Sequence, residues 1–465
     1  TIGAQAFYGT GLTSISIPDA VTTIGDYAFY NVPITSLTFP DNISFGNQAF
    51  TSTGITTLVV PEGVQFYNNS ILASIPSVCS SLTTLTIAQK LVSGFSNCTK
   101  LEKVTLLESV ISIGSSAFYR SAIRSLDIPD SVTSIGGSAF RESSLVSVKL
   151  PSNLSSIASG LFQGVSGLTE ITLPDTVTTI GAQAFYGTGL TSISIPDAVT
   201  TIGTQAFYNV PITSLTFPDN ISVGSQAFTS TGITMLVVPE GVQFHGNNIL
   251  LSIPSVCYSL TTLTIAQKLV SGFSGCKKLE KVTLLESVIS IGAAAFSNAS
   301  SLEELVIPDS VTTLGSSSFS GASSLKKIVI PDSVMTLGSN SFNGASALES
   351  AVLGSGLTEL SSSVFKGTGA LTSINIPSSI VSVGYEAFKD SGLISLVIPD
   401  SVQVTADRAF PLDSSETLDS DSDGTGDNSD AFPDNPLYNA DSDSDGMPDA
   451  WEIRYGLDPN DALDA

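Results

Sequence analysis

LTSISIPDAVTTIGDYAF, residues 12–29, is the stretch whose reading decides the fold. Ile15 and Ile17 alternate with Ser16, the period-two pattern of a strand with one buried face. Pro18 ends that strand, because proline has no N–H to give to a ladder. Asp19-Ala20 then turns the chain, and Val21 and Ile24 re-enter the core. Gly25 is expected to permit a tight corner, and Ala28-Phe29 fills the interior before the next unit begins.

This unit recurs. The position of Pro18 returns at Pro40, Pro61, Ala88, Leu107 and Pro129, and onward to Pro399, giving eighteen units at an average step of 22.4 residues. Two steps of 27 residues, Pro61 to Ala88 and Pro239 to Ala266, are each followed by a step of 19 and mark bulged coils. Phenylalanine returns at the position of Phe29 from Phe7 to Phe410, so seventeen of the 23 phenylalanines are expected in one internal column. A unit this small cannot bury its own apolar face and must stack on neighbours. Strands about 4.8 Å apart, one per unit, would make a parallel sheet on the order of 80 Å long. Such a surface favours large partners over small substrates. Residues 1–118 also recur at 179–296 with few changes, an internal duplication at an offset of 178.

The segments IPDAVTTIGDYAF (17–29), IPDSVTSIGGSAF (128–140) and IPDSVTTLGSSSF (307–319) resemble the BspA-like class of leucine-rich repeats over residues 1–410. The resemblance implies a β-rich solenoid with a parallel sheet on one face. It also implies a role in adhesion to matrix proteins, other cells or polysaccharides. The family often carries Cys shortly before the Leu, and four units here do, at Cys79, Cys98, Cys257 and Cys276. No motif fixes the family's ligand-contacting residues, so none transfers.

The net charge of −25 is unevenly placed: residues 411–465 hold sixteen Asp and Glu against Arg454 alone. This acidic tail, the second domain after the array of 1–410, contains two loops of similar form. DSDSDGMPDAWE places Asp441, Asp443, Asp445, Asp449 and Glu452 at loop positions 1, 3, 5, 9 and 12, with the Met447 carbonyl at position 7. DSDSDGTGDNSD offers Asp419, Asp421, Asp423, Asp427 and Asp430, its shorter last residue implying a weaker site. Alternate acids around a sixth-position glycine supply the six to eight oxygens that Ca2+ requires. Residues 419–452 resemble thrombospondin type 3 and dockerin-like calcium repeats, which implies an extracellular or cell-surface setting. Pro448 and the AFPDNP between the loops argue against flanking helices. The alternative for the tail is a solvated acidic linker.

Other features exclude more than they assign. An acidic chain with no basic stripe is a poor nucleic-acid binder. No run approaches the roughly 18 apolar residues of a membrane span. A single histidine, His245, allows no Ser-His-Asp or Cys-His constellation, and it is read as a surface residue of a bulged coil; an enzyme is the least favoured class. Cys79/Cys98 and Cys257/Cys276 fall at one phase of consecutive coils; disulfides are possible, with buried free thiols the favoured expectation. Outward strand positions carry hydroxyls (Thr13, Ser14, Ser16, Thr35, Ser36, Thr38, Thr83, Thr84, Thr86), either a ligand face for glycans or ice or simply residues that suit an exposed strand. Lys281–Glu304–Lys327 and Glu303–Lys326–Glu349 are expected to alternate in sign on neighbouring coils. The reading is an adhesion or binding protein for an extracellular protein or polysaccharide, with a repeat spacer of a larger surface protein as the alternative. Oligomeric state is left open.

Overall fold

The computed structural model describes residues 1–394, 396–406, 408–410, 440, 442 and 447–455. The chain forms two compact units, Thr1–Ile233 with Gly241–Ser255, and Thr234–Glu240 with Val256–Ala465. Both are parallel β-solenoids, with about 16 turns between them, slightly fewer than the eighteen sequence units.

In the first unit the strands Ser36–Thr38, Thr57–Val60, Thr84–Ile87 and Lys103–Leu106 pair in parallel, in the register Thr57↔Thr84↔Lys103. Leu58, Leu85 and Val104 point inward and are buried, as the period-two pattern requires. A second, shorter ladder lies on the V-T-x-I-G segment, which the sequence reading treats only as a return to the core. It joins Thr23–Ile24 to Ser44–Phe45, then separately Leu91–Val92, Ser112–Ile113 and Ser134–Ile135, and later Ser156–Ile157 through Gln243–Phe244.

The corner after this ladder is hydrogen-bonded between coils as well. Tyr27, Phe29 and Asn31 donate their N–H groups to Asn47, Ala49 and Thr51 of the next coil, while Ala28 and Tyr30 close turns onto Gly25 and Tyr27. The two left-handed residues of this corner are Tyr27 (φ 55°) and Asn31 (φ 55°), not the glycine. Gly25 is there for a different reason than expected. A Cβ on it would lie 2.5 Å from the Ala4 N of the neighbouring coil, and Gly136 and Gly203 are crowded the same way by Ser115 and Ala182. Close approach of stacked backbones, rather than turn geometry, demands glycine here.

The phenylalanines stack ring on ring, but not in one uninterrupted column. Phe7, Phe29 and Phe50 form a first run with centroids 4.9 Å apart. Phe95 to Phe228 form a second, at 5.0–6.0 Å. Between the runs lies the 27-residue coil, which has no residue of the series. Phe39 and Phe45 instead close around Phe50 at 5.8 and 5.7 Å.

That coil carries its extra residues as short helical turns, Tyr67–Asn69, Ile71–Ser74 and Val78–Ser80, with Ile71, Ile75 and Val78 buried. Gln48 and Phe50 donate to Ala73 and Ser74 of the insertion, which therefore stands in for the next coil's corner. The short ladder cannot continue past it. Gln65 still bridges Ser44, but Leu91–Val92 begins a new ladder. The Val64 carbonyl accepts the Gln89 side-chain amide at 2.7 Å in place of a ladder N–H.

The cysteines correct the sequence expectation: Cys79 is bonded to Cys98 and Cys257 to Cys276, and no described cysteine is free. The long coil followed by a 19-residue step sets Cys79, in the turn Val78–Ser80, against the buried Cys98 with Cα atoms 4.1 Å apart. The general burial tendency of lone thiols gave no information on that pairing. His245 is exposed, as expected, in the turn His245–Asn247.

In the second unit the main ladder runs through Met235–Val238, Thr262–Ile265, Lys281–Leu284, Glu304–Val306, Lys327–Val329 and Ser350–Val352. The short ladder runs from Leu269–Val270 to Thr336–Leu337, and a third sheet joins Glu359–Leu360, Ser382–Val383 and Val404–Thr405. Phe273 to Phe410 stack at 5.4–6.0 Å. Near the end of this run the half-buried Lys366 and Lys389 grip the buried Glu386, Lys389 at 2.8 Å.

Candidate binding surface

The outward face of the main ladder is where a partner can reach the second unit. Register lines up Thr262, Lys281, Glu304, Lys327 and Ser350 in one column, so the alternation of sign expected from the sequence is present. In the adjoining column Lys326 reaches Glu303 at 3.2 Å, and the backbone N–H of Glu349 donates to Lys326. This exposed pair contributes about 0–1 kcal/mol, so it sets register and surface charge more than stability.

Two residues along the same strands is a feature that sequence reasoning missed. The outward position, Thr264 and Thr283 in the preceding strands, becomes Val306, Val329 and Val352 in the next three. These valines are 80%, 46% and 50% exposed. The signal was present as the middle letter of L-V-I, I-V-I and A-V-L, but β-branched residues there read simply as strand formers. A groove of about 720 Å3 follows the strands Lys281–Leu284 and Glu304–Val306. An apolar stripe bordered by both signs of charge has the composition of a protein-binding patch.

The hydroxyl array behaves differently. Thr56 and Thr83 donate their hydroxyls to the carbonyls of Thr35 and Thr56 on the preceding coil, and Thr261 does the same to Thr234. Thr13, Ser14, Ser16, Thr35, Ser36 and Thr38 are exposed, whereas Thr83, Thr84 and Thr86 are half-buried. At Thr56, Thr83 and Thr261 the hydroxyl proton is committed to the fold, which favours the strand-former reading there.

Of the acidic-loop residues, Asp419, Asp421, Asp423, Asp427, Asp430, Asp441, Asp443 and Asp445 lie outside the described residues. Met447, Asp449 and Glu452 are described, and they correct one expectation. Asp449–Tyr455 is a helix directly after Pro448. Proline is compatible with a helix start, since its missing N–H would have no intrahelical acceptor there. The Pro448 carbonyl instead accepts the Trp451 N–H at 2.8 Å. The Asp449 carboxylate accepts the Ser442 N–H at 2.7 Å and its hydroxyl at 2.6 Å, which holds its pKa below the usual carboxylate range. Loop positions 2 and 9 therefore meet, and Glu452 falls in the first turn of the exiting helix. All the side-chain donors of the loop are hard carboxylate oxygens, the chemistry that suits Ca2+.

A family profile described as "BspA type Leucine rich repeat region (6 copies)" matches residues 1–93, 78–179, 155–272, 270–394 and 345–439. The chain belongs to this family. Among solved structures, a leucine-rich repeat protein from Bacteroides ovatus is similar at 24% identity, with 77% of this chain and 89% of that one covered and a TM-score of 0.49. A leucine rich cell surface protein from Faecalibacterium prausnitzii is similar at 23% identity, covering 78% and 86%, with a TM-score of 0.23. The pneumococcal vaccine antigen PcpA is similar at 18% identity, covering 85% and 83%, with a TM-score of 0.28. No curated protein sequence matches it significantly. Among the described residues of this BspA-type chain, no helix is long and apolar enough to cross a membrane.

Proposed function

We propose that this BspA-type chain is a secreted or cell-surface binding protein that engages an extracellular protein or glycan through its repeat sheet. The observation that carries the reading is the stripe Val306–Val329–Val352 beside Lys281, Glu304 and Lys327. Valines standing in water beside charges of both signs favour a protein ligand on this face. The acidic tail is proposed to bind Ca2+ through Asp441, Asp443, Asp445, Met447, Asp449 and Glu452, and more weakly through Asp419, Asp421, Asp423, Asp427 and Asp430, and so to act as an ordered spacer or link to an anchor.

Surface plasmon resonance of the intact chain against purified matrix proteins and cell-wall glycans tests the first part. Val306→Asp with Val329→Asp is expected to weaken the response about 10-fold or more, from the loss of roughly 1.5 kcal/mol per buried valine. A response unchanged in this variant refutes the assignment of the face. Silence across the whole panel favours the spacer reading. Calorimetric titration of the intact chain with Ca2+ tests the tail: heat expected in the wild type and reduced by Asp449→Asn with Glu452→Gln. No heat at millimolar Ca2+ sinks the calcium assignment without touching the sheet.

A further inference from the structure

The bulged coil of the first unit opens a second, separate recess. Where the short ladder breaks between Gln65 and Leu91, a cleft of about 920 Å3 forms. Its polar walls include Asn42, Glu62, Gln65, Asn69 and Lys90, all exposed, with Gln89 half-buried. Its floor is apolar, from Val60, Val64 and Ile71, and the rim includes Leu91, 54% exposed. Lys90 lies 3.6 Å from Glu62, so these two charges offset one another, and Asp41 adds one exposed carboxylate to the lining. Gln89 already donates to the Val64 carbonyl, so the neutral recognition groups are the amides of Asn42, Gln65 and Asn69. Each primary amide offers donors and an acceptor side by side, which suits a hydroxyl that both gives and takes a hydrogen bond.

The internal duplication carries the same lining a second time in the sequence. Every cleft-lining residue recurs unchanged 178 positions on, for example as Asn220, Glu240, Gln243, Asn247, Gln267 and Lys268. The Lys90–Glu62 pair recurs as Lys268–Glu240 at 3.4 Å. The insertion around these positions has diverged: Tyr67 against His245, Asn68 against Gly246, Ser70 against Asn248, Ala73 against Leu251 and Ser80 against Tyr258. The lining is unchanged while the segment that frames it varies.

We infer that this cleft binds a short stretch of neutral polyhydroxylated glycan. The amide side chains take the hydroxyls, and Leu91 with the aliphatic floor takes the apolar faces of the rings. The volume lies in the upper part of the range for small-ligand sites, which run roughly 300–1,000 Å3. With Asp41 and Glu62 against Lys90 alone, the cleft has no cationic cluster to hold a phosphate or sulfate.

The test is hydrogen–deuterium exchange of the intact chain with neutral oligosaccharide probes at millimolar concentration, namely cellotetraose, chitotetraose and mannotetraose, alongside a heparin hexasaccharide and an acidic peptide. Peptides spanning 61–73 and 239–251 differ in sequence, so protection there is assigned to one copy of the repeat. The expected result is protection at 61–73 by at least one neutral probe. Gln65→Ala with Asn69→Asp is expected to reduce that probe's affinity on the order of 10-fold. Protection elsewhere only, protection by the charged probes alone, or none at all overturns the inference. The valine face is untouched by these substitutions, so its partner binding passes or fails separately.

Discussion

Replacing Phe140 by Ala examines the stacked core at its most regular point. The ring is fully buried, with Phe118 and Phe162 each at 5.8 Å and tilted by only 4° and 11°. Truncation of a buried phenylalanine costs about 3–5 kcal/mol. The upper half of that range is expected here, because both neighbours lose a ring contact worth about 0.5–1.5 kcal/mol. Its backbone bond to Leu161 needs no side chain and should survive. Phe95 supplies the comparison: equally buried, it stacks on Phe118 alone at 6.0 Å, so Phe95→Ala should cost less by one ring contact of about 0.5–1.5 kcal/mol. A repeat array does not unfold as one unit, so the readout is the local opening free energy from native-state hydrogen exchange rather than a single midpoint. Loss of protection should centre on residues 112–162 and fade with distance in either direction. Equal costs at positions 95 and 140, or a cost at 140 below about 1 kcal/mol, would refute a stability built on neighbour-to-neighbour ring packing.

Cys79→Ser with Cys98→Ala should destabilise the bulged coil by about 3 kcal/mol, the loop-closure value for a separation of 19 residues, and dithiothreitol should reproduce the effect in the wild type, both read as loss of exchange protection at 64–98. Glu386 has its carboxyl lowered from 4.5 to about 2, chiefly by hydrogen bonds from Lys366 and Lys389. With the folded pKa below the unfolded one, its contribution is complete above about pH 4.5 and is lost as pH falls toward about 2. Exchange protection around residues 365–389 should therefore fall more steeply with acid in the wild type than in Glu386→Gln, and parallel curves would contradict the triad. Glu304→Lys places a third lysine between Lys281 and Lys327 and should cost about 0.2–1 kcal/mol, shrinking as salt is added; a cost that salt does not change would point to packing instead.

Local periodicity carried most of the fold. Ile15–Ser16–Ile17 and its repeats mark the strands, and equal spacing alone is enough to align Lys281, Glu304 and Lys327. What escaped depends on distances between coils. Gly25 reads as a turn residue until Ala4 is seen against it. The pairing of Cys79 with Cys98 follows from how one long coil and one short coil fit together, which burial tendencies do not encode. The valine stripe was visible letter by letter but became a surface only when three strands lay side by side. The cleft was hidden further still, because it arises from a ladder that stops, and Pro448 was misjudged because a helix breaker in mid-span is a helix starter at the first turn.

The disulfide in the bulged coil also has a mechanical meaning. If the first unit were pulled from its ends, the coil where the short ladder breaks between Gln65 and Leu91 would resist shear chiefly through its main ladder. The 19-residue span from Cys79 to Cys98 cannot pay out while the bridge is intact, which withholds about 65 Å of contour length beside that break. Reduction would release that length. The extension of the protein under load thus depends on the redox state of its surroundings.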